Sequence, residues 1–191
     1  MMSMIICITG MPGSGKSTVA NILHEHGFVV EEMRDEFMHQ MRLQGRFPEG
    51  KEIWKLAADF KAEHGMDAIA KAMVKRIDQD SNTVIAGLRN SAELEVFRNT
   101  FGDGLVVVEV VALPETRYAR LSGRGVSIDP KSYKEFLERE QNDLVGLGQA
   151  SMKGMSDIRM TNSGSIEELR SNVEAFLKDA QGRVARAKTK S

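Results

Sequence analysis

The sequence predicts a three-layer α/β/α fold, in which helices cover both faces of a five-stranded parallel sheet. Short apolar runs alternate along the chain with segments of helical periodicity. The first run, MIICIT at 4–9, is almost continuously apolar, as in a strand that is buried on both faces. Strands separated by helices pair in parallel through right-handed crossovers, and ligands bind beyond the carboxyl ends of such strands.

Local patterns place each element of this fold. Strands are predicted at 4–9, 28–30, 83–87, 105–113 and 158–161. Helices are predicted at 17–26, 33–43, 51–79 with a break at Gly65, 90–101, 114–124, 133–147 and 165–180. Pro114 suits the first turn of a helix. Asn90 with Glu93, and Ser165 with Glu168, have the spacing of capping boxes at helix starts.

The composition fits a single domain without a strong overall charge. The chain has 191 residues, of which 41% are hydrophobic, enough for a substantial core. The net charge of -1 predicts no general attraction to nucleic acid or to a membrane surface. Cys7 is the sole cysteine and lies in an apolar run, so no internal disulfide can form. The sequence contains no signal-peptide or membrane-spanning pattern, and we expect a cytoplasmic protein.

We expect residues 1–181 to form this single domain and residues 182–191 to form a basic, flexible tail. The basic residues of the tail are Arg183, Arg186, Lys188 and Lys190. A frayed, solvated end is the prediction, and a nucleic-acid-binding arm is the weaker alternative. The four histidines show no metal-ligand spacing, so we do not expect them to bind a metal ion. The sequence gives no indication of the oligomeric state.

A phosphate-binding loop follows the first strand. The segment GMPGSGKS matches the pattern G-x-x-x-x-G-K-[ST] between a buried strand and a helix. Its glycines allow successive backbone N–H groups to point inward, and the helix N-terminus adds its dipole. We expect Lys16 to reach the β- and γ-phosphates, Ser17 to bind magnesium and Thr18 to contact the α-phosphate. The predicted nucleotide-binding residues here are Gly10, Met11, Pro12, Gly13, Ser14, Gly15, Lys16, Ser17 and Thr18.

Five further segments place charged residues or glycines near the ends of predicted elements. They are RD at 34–35, TVIAGLRN at 83–90, RLSGR at 120–124, FLEREQND at 136–143 and TNSGSIEEL at 161–169. With these segments and the phosphate-binding loop, the sequence resembles the nucleoside-monophosphate kinase group of P-loop proteins. It is most similar to archaeal adenylate-kinase-related proteins and also resembles dephospho-coenzyme A kinases, over the chain to about residue 180.

The resemblance implies a P-loop kinase fold with a small helical lid. Acceptor-binding helices are implied at 33–79 and a lid-like region at 120–150. ATP and Mg2+ are the implied cofactors, and a small nucleotide is the implied acceptor. No membrane partner is expected, and binding to nucleic acid is not favoured.

On the acceptor side, Asp35 matches the aspartate that opens the acceptor-binding helix in this family. The family's arginine three residues further on is replaced here by Met38, and Arg42, one turn later, is the candidate substitute. Gly87 and Arg89 match the segment after the third strand, where an arginine contacts the acceptor. The resemblance therefore implies that Asp35, Arg42, Gly87 and Arg89 bind the acceptor, whose identity stays open.

Ala86 stands where this family has a strand-end aspartate that helps to orient magnesium, generally through water. We expect Asp35 to supply the missing carboxylate and to share the ion with Ser17. A phosphate acceptor is already nucleophilic, whereas a sugar hydroxyl would profit from a base, and Asp35 is the candidate for that role too.

In the lid-like region, Arg120 and Arg124 are implied to cover the base and phosphates of ATP, and Arg139 to meet the transferring phosphoryl group. A guanidinium suits both tasks because it stacks on purines and donates two parallel hydrogen bonds to phosphate. The alternative for each arginine is a surface charge or a helix ion pair, such as Glu135 with Arg139.

The segment after the last strand resembles an adenine-binding loop, in which Asn162 and Gly164 would face the base. The implied catalytic residues are Lys16, Asp35, Arg124 and Arg139. We expect an ATP-dependent phosphotransferase of the adenylate kinase type. Two alternatives stay open: a dephospho-coenzyme A kinase-like activity, and a nucleotide-binding regulator or weak ATPase, which Ala86 and Met38 favour.

Overall fold

The structure is a computed structural model that describes residues 3–50, 52–126 and 129–188. The strands are β1 (Ile5–Thr9), β2 (Val29–Glu32), β3 (Thr83–Leu88), β4 (Leu105–Val111) and β5 (Ile158–Thr161). The helices are α1 (Lys16–Glu25), α2 (Met33–Leu43), α3 (Glu52–His64), α4 (Ala68–Met73), α5 (Ser91–Phe101), α6 (Pro114–Gly123), α7 (Tyr133–Val145) and α8 (Ile166–Lys188). Short 3-10 turns lie at Gly102–Gly104 and Gln149–Met152.

The five strands form one sheet in the order β2-β3-β1-β4-β5, and all pairs are parallel. This confirms the predicted three-layer fold. β1 lies at the centre, and all five of its residues are buried, as its unbroken apolar pattern predicts. The phosphate-binding loop that follows β1 therefore lies at the middle of the sheet's carboxyl edge.

The two faces of the sheet carry separate apolar cores, because successive strand residues point to opposite sides. Ile6 and Ile8 pack on the face covered by α1 and α8. Ile5 and Cys7 pack on the opposite face, with buried residues of α2, α3, α4 and α5. Both layers of helices are thus fixed against β1, and they hold the loops at its carboxyl end in place.

β3 contains an irregularity beside the phosphate-binding loop. Ile8 of β1 is opposite Ala86, but the next residue, Thr9, is opposite Leu88, so Gly87 is bypassed. The side-chain hydroxyl of Thr9 donates to the Leu88 carbonyl at 2.9 Å across this step. Such bulges redirect the chain near binding sites, and here the bulge directs the residues after β3 toward the loop.

One predicted boundary agrees with the structure, and two elements are longer than predicted. Gly65, at φ +99°, separates α3 from α4, as predicted. β2 continues to Glu32, two residues past its predicted end. α8 continues to Lys188, although a flexible tail was predicted from residue 182. Alanine, arginine and lysine favour helix strongly enough that Gly182 alone does not end it. The last three tail residues lie outside the described part of the chain.

No helix among the described residues combines the length and apolarity needed to cross a membrane.

Candidate active site

Two glycines of the phosphate-binding loop lie where a larger residue would not fit. Gly15 precedes α1 in the left-handed conformation, at φ 97°. A Cβ atom on Gly15 would lie 2.0 Å from Nδ2 of Asn162, and one on Gly13 would lie 2.7 Å from the carbonyl oxygen of Arg117. The loop is therefore packed tightly between α6 and the chain after β5, which fixes its backbone N–H groups.

Lys16 bends back over the loop. Its Nζ donates to the carbonyl oxygens of Gly10 at 2.8 Å and Met11 at 3.2 Å. Burial, with a further contribution from the positive charge of Arg89, lowers the pKa of Lys16 to about 7. The lysine thus lies buried inside the loop, where an anionic phosphate oxygen would favour its charged form.

Asn162 supports the loop from behind. It is 6% exposed, and its Nδ2 donates to the Ser14 carbonyl at 2.8 Å. Its own carbonyl accepts from Arg120 Nη1 at 2.9 Å. Its place at the adenine edge stays a prediction, although its Nδ2 is used inside the protein and Asn162 does not line the cavity described below. Gly164 lies against the Glu168 carboxylate and does not line the cavity described below.

A cavity of about 670 Å³ opens beyond the carboxyl ends of the strands. Most predicted site residues line it: Pro12, Gly13, Gly15, Lys16, Ser17, Thr18, Asp35, Gly87, Arg89, Arg120, Arg124 and Arg139. Arg42 is the exception on the acceptor side, because it is exposed and does not line the cavity. It lies seven residues after Asp35, which is about 10 Å further along the α2 axis.

Sequence analysis missed a carboxylate at the end of β2. Glu32 is opposite Ala86 in the pairing of β2 with β3, and it lines the cavity. Its Oε2 lies 3.9 Å from the position that a Cβ atom on Gly87 would occupy. Partial burial, and then the charge of Asp35, raise the pKa of Glu32, while Lys16 opposes the change. A longer β2 in the prediction could have identified it as a strand-end residue.

The lid-like region carries an arginine pair held by one carboxylate. Asp129 accepts from Arg124 Nε at 3.0 Å, and Arg139 Nη1 lies 3.7 Å from the same carboxyl group. The hydrogen bond from Arg124 lowers the pKa of Asp129. Asp129 was not predicted, because its partners are Arg124 at the end of α6 and Arg139 on α7, and no local sequence pattern indicates such a pairing.

Arg117, also missed by the sequence analysis, joins α6 to α7. Its guanidinium lies 5.2 Å from the centre of the Phe136 ring and forms an ion pair with Glu140. Its Nε donates to the Ala112 carbonyl at 3.1 Å. Because the backbone of Arg117 also packs against Gly13, the helix pair is anchored on the phosphate-binding loop.

One half of the cavity, lined mainly by residues of α2, α3 and α4, is mostly apolar and has a buried ion pair in its wall. Lys61 and Glu93 are 4% and 1% exposed, and Nζ lies 2.7 Å from Oε1. Asn90 caps α5 by accepting from the Glu93 N–H, as predicted, whereas the Glu93 carboxylate accepts from the N–H of Arg89. The apolar residues of this half are Met33, Phe37, Ile53, Ala57, Ile69 and Leu147.

Comparison with known proteins places the chain among P-loop proteins. A family model described as an AAA domain matches residues 6–143. The UPF0200 protein of Hyperthermus butylicus is 31% identical over 181 residues, covering 94% of this chain and 96% of its own length. The UPF0200 protein of Methanoculleus marisnigri is 33% identical over 182 residues, covering 94% and 98%.

Solved structures share the fold at low sequence identity. TT1252 from Thermus thermophilus has a TM-score of 0.63 at 20% identity, covering 94% of this chain and 98% of its own. Shikimate kinase from Bacteroides thetaiotaomicron has a TM-score of 0.62 at 14% identity, covering 93% and 98%. These likenesses show a P-loop kinase-like fold, which is coarser than the predicted resemblance to adenylate kinases. The chain therefore belongs to the AAA-domain family and to the UPF0200 proteins.

Proposed function

We propose that the chain is an ATP-dependent phosphotransferase that acts on a nucleotide or nucleotide-like acceptor. One observation carries the proposal: a single cavity joins the phosphate-binding loop to arginines from three other parts of the chain. The cations that line it with Lys16 include Arg89, Arg120, Arg124 and Arg139. Phosphoryl transfer depends on positioning and on neutralising phosphate charge, which such a set can provide. A protein that only sensed nucleotide would not need arginines beyond the loop.

The nucleotide-binding side supplies oxygen donors suited to magnesium. Ser17 at the start of α1 and the carboxylates of Glu32 and Asp35 all line the cavity. Magnesium in such sites takes one or two carboxylates together with substrate phosphates, and the donors present fit that chemistry. The ion, when bound, would neutralise charge on the β- and γ-phosphates. We assign Ser17 as the protein donor that would bind the ion directly, and Glu32 as the carboxylate that would orient it through water, so that Glu32 remains free to act as a base.

The carboxylates also bear on the acceptor. A phosphate acceptor needs no base, so Glu32 and Asp35 would have no proton-transfer role with it. A hydroxyl acceptor would benefit from Glu32, because its raised pKa makes the carboxylate a better proton acceptor. Among nucleotide-like acceptors, the site therefore favours one that reacts through a hydroxyl group, as in the dephospho-coenzyme A kinase-like alternative.

The lid-like region would then complete the site. Arg117 and Glu140 hold α6 and α7 together beside the phosphate-binding loop, so Arg124 and Arg139 are kept together at the cavity, and local closure of these side chains would bring them onto the γ-phosphate. Closure would exclude water from ATP, which limits hydrolysis in favour of transfer. The apolar half of the cavity would hold the body of the acceptor.

A phosphotransfer screen tests the proposal. ADP release would be measured with magnesium-ATP and, in turn, AMP, CMP, UMP, GMP, dephospho-coenzyme A or no acceptor, with Lys16→Met as the blank. One acceptor should raise ADP release at least about tenfold over the rate without acceptor. Slow release that no acceptor stimulates would contradict the proposal and favour the regulator or weak ATPase.

A further inference from the structure

A buried carboxylate on α7 lies behind the arginines of the cavity. Asp143 is 2% exposed, and its Oδ1 accepts a hydrogen bond from Arg89 Nη1 at 2.9 Å. Among the described residues, its Oδ2 has no hydrogen-bond partner. Asp143 does not line the cavity, whereas Arg89 does. A side chain of the lid-like region is thereby joined to the residue that follows β3.

Three positive charges surround this carboxylate. Burial raises the pKa of Asp143, and the charges of Arg89, Arg139 and Lys16 oppose that change. These residues belong to the end of β3, to α7 and to the phosphate-binding loop, and like charges so close repel one another. Consistent with this, Arg89 lowers the pKa of Lys16, while Asp143 raises it. Asp143 is the hydrogen-bonded counter-charge of Arg89, and its negative charge also acts on Lys16 and Arg139.

Stability alone does not explain a carboxylate at this position. A buried ion pair often stabilises a fold no better than apolar residues of the same volume. A buried oxygen without a hydrogen-bond partner makes the arrangement less favourable still. The free-energy cost of burying this carboxylate is explained if Asp143 fixes the orientation of Arg89, which lines the cavity.

We propose that Asp143 is a positioning residue that holds the Arg89 guanidinium in place in the cavity that the phosphate-binding loop lines. The proposal rests on the phosphotransferase function proposed above. Because Arg89 follows β3 and Asp143 belongs to α7, their ion pair also couples the position of α7 to the orientation of Arg89. Asp143 would therefore affect turnover through Arg89, because Asp143 itself does not line the cavity.

A double-mutant cycle tests this role. Asp143→Asn, Arg89→Ala and the double variant would be compared in magnesium-ATP turnover with the best acceptor from the screen. Affinity for a fluorescent ATP analogue and the melting temperature would be measured alongside. Asp143→Asn should lower kcat about tenfold or more, with the Kd for the analogue changed less than about threefold. In a protein that already carries Arg89→Ala, Asp143→Asn should lower kcat little further, because the arginine that Asp143 positions is absent.

Glu36→Gln is the matched control. Glu36 is 4% exposed and pairs with Arg76 at 2.6 Å, but it does not line the cavity. It makes the same carboxylate-to-amide change at an equally buried carboxylate that is paired with an arginine, and it should leave kcat unchanged. Equal losses of kcat in Glu36→Gln and Asp143→Asn would overturn the proposal, as would an Asp143→Asn effect of the same size with and without Arg89.

Asp143→Glu takes the place of Asp143→Asn should the latter fail to fold. It keeps the charge but displaces the carboxylate by one methylene, so the proposal requires a lower kcat with nucleotide binding retained. Wild-type kcat in Asp143→Glu would overturn the proposal. A wild-type chain without any acceptor-dependent turnover would remove the phosphotransferase function and this role together. If the wild type turns over with acceptor but the effects of Asp143→Asn and Arg89→Ala on kcat simply add in the double variant, only the positioning role of Asp143 would be overturned.

Discussion

Glu32 and Ala86 are opposite each other in the parallel pairing of β2 and β3. Residues in register on neighbouring strands point to the same face of a sheet, so the Glu32 side chain lies on the face where an aspartate at position 86 would lie. We infer that Glu32, on the adjacent strand, takes the place of the carboxylate that β3 lacks. Asp35, which the sequence suggested for this role, belongs to the first turn of α2 and is exposed.

Glu32→Gln should lower the rate of phosphoryl transfer about a hundredfold, because it removes the candidate base, which would also orient magnesium through water. Asp35→Asn should have a much smaller effect. Ala86→Asp alone should bring no gain, since it would place a second carboxylate beside Glu32. Added to Glu32→Gln, it should restore part of the rate. Acceptor-dependent ADP release would be measured for all four variants. If Glu32→Gln hardly changes the rate while Asp35→Asn is inactive, the essential carboxylate is Asp35 and not Glu32.

The affinity for ATP should depend on pH through Lys16. Since the pKa of Lys16 in the ligand-free protein is about 7, binding above that pH must take up a proton to restore the ammonium. Affinity for a fluorescent ATP analogue should fall from pH 7 to pH 9, approaching tenfold per unit where Lys16 is mostly neutral. The phosphates stay fully ionised in this range, and Lys16→Met should show a flat profile. A flat profile in the wild type would contradict the prediction.

Asn162→Ala should destabilise the protein by about 1–3 kcal/mol, because it leaves the Ser14 carbonyl without its buried donor. ATP affinity should fall with it, as the phosphate-binding loop loses its support. The measurement is thermal or chemical unfolding together with nucleotide binding. Ser163→Ala, at the exposed neighbouring position, is the control and should change stability by less than about 0.5 kcal/mol. Unchanged stability with a lost preference for ATP over GTP would instead assign Asn162 to the adenine base.

Arg42→Ala should leave the KM for both substrates unchanged within about twofold, as expected of an exposed residue outside the site. Arg120→Ala should raise the KM for ATP, because Arg120 lines the cavity and holds the backbone of Asn162. Steady-state kinetics over both substrate concentrations separates the two results. A selective rise in the acceptor KM in Arg42→Ala would show that α2 moves to bring Arg42 into the site.

The fold was predictable because it follows from local patterns. The apolar run before Gly10, the glycine at 65 and the proline at 114 each mark an element that the structure contains. The ends of β2 and α8 were less predictable. Glu31 and Glu32 have low strand propensity, and they extend β2 only because β3 offers a parallel partner. The order of the strands depends on long-range pairing, which no local pattern specifies.

The site was predictable where a residue type has a fixed place in a motif, and not where its role depends on a distant partner. Lys16 and Ser17 follow from the loop pattern alone. Asp143 and Arg117 lie on helices, and Asp129 lies between two helices; such charges look the same in sequence whether they face solvent or another charge. The partner of Asp143, Arg89, is 54 residues away in the chain, so only the folded structure, which brings α7 close to the residue after β3, identifies its role.

The fate of the γ-phosphoryl group is the most direct test of the proposed function. ATP labelled at the γ-phosphate would be incubated with the wild-type chain, magnesium and the preferred acceptor from the screen, and the products would be separated. Most of the released label should appear on the acceptor and little as inorganic phosphate, with neither product formed by Lys16→Met. Label found in inorganic phosphate at the same rate with and without acceptor would show a hydrolase and contradict the proposed function.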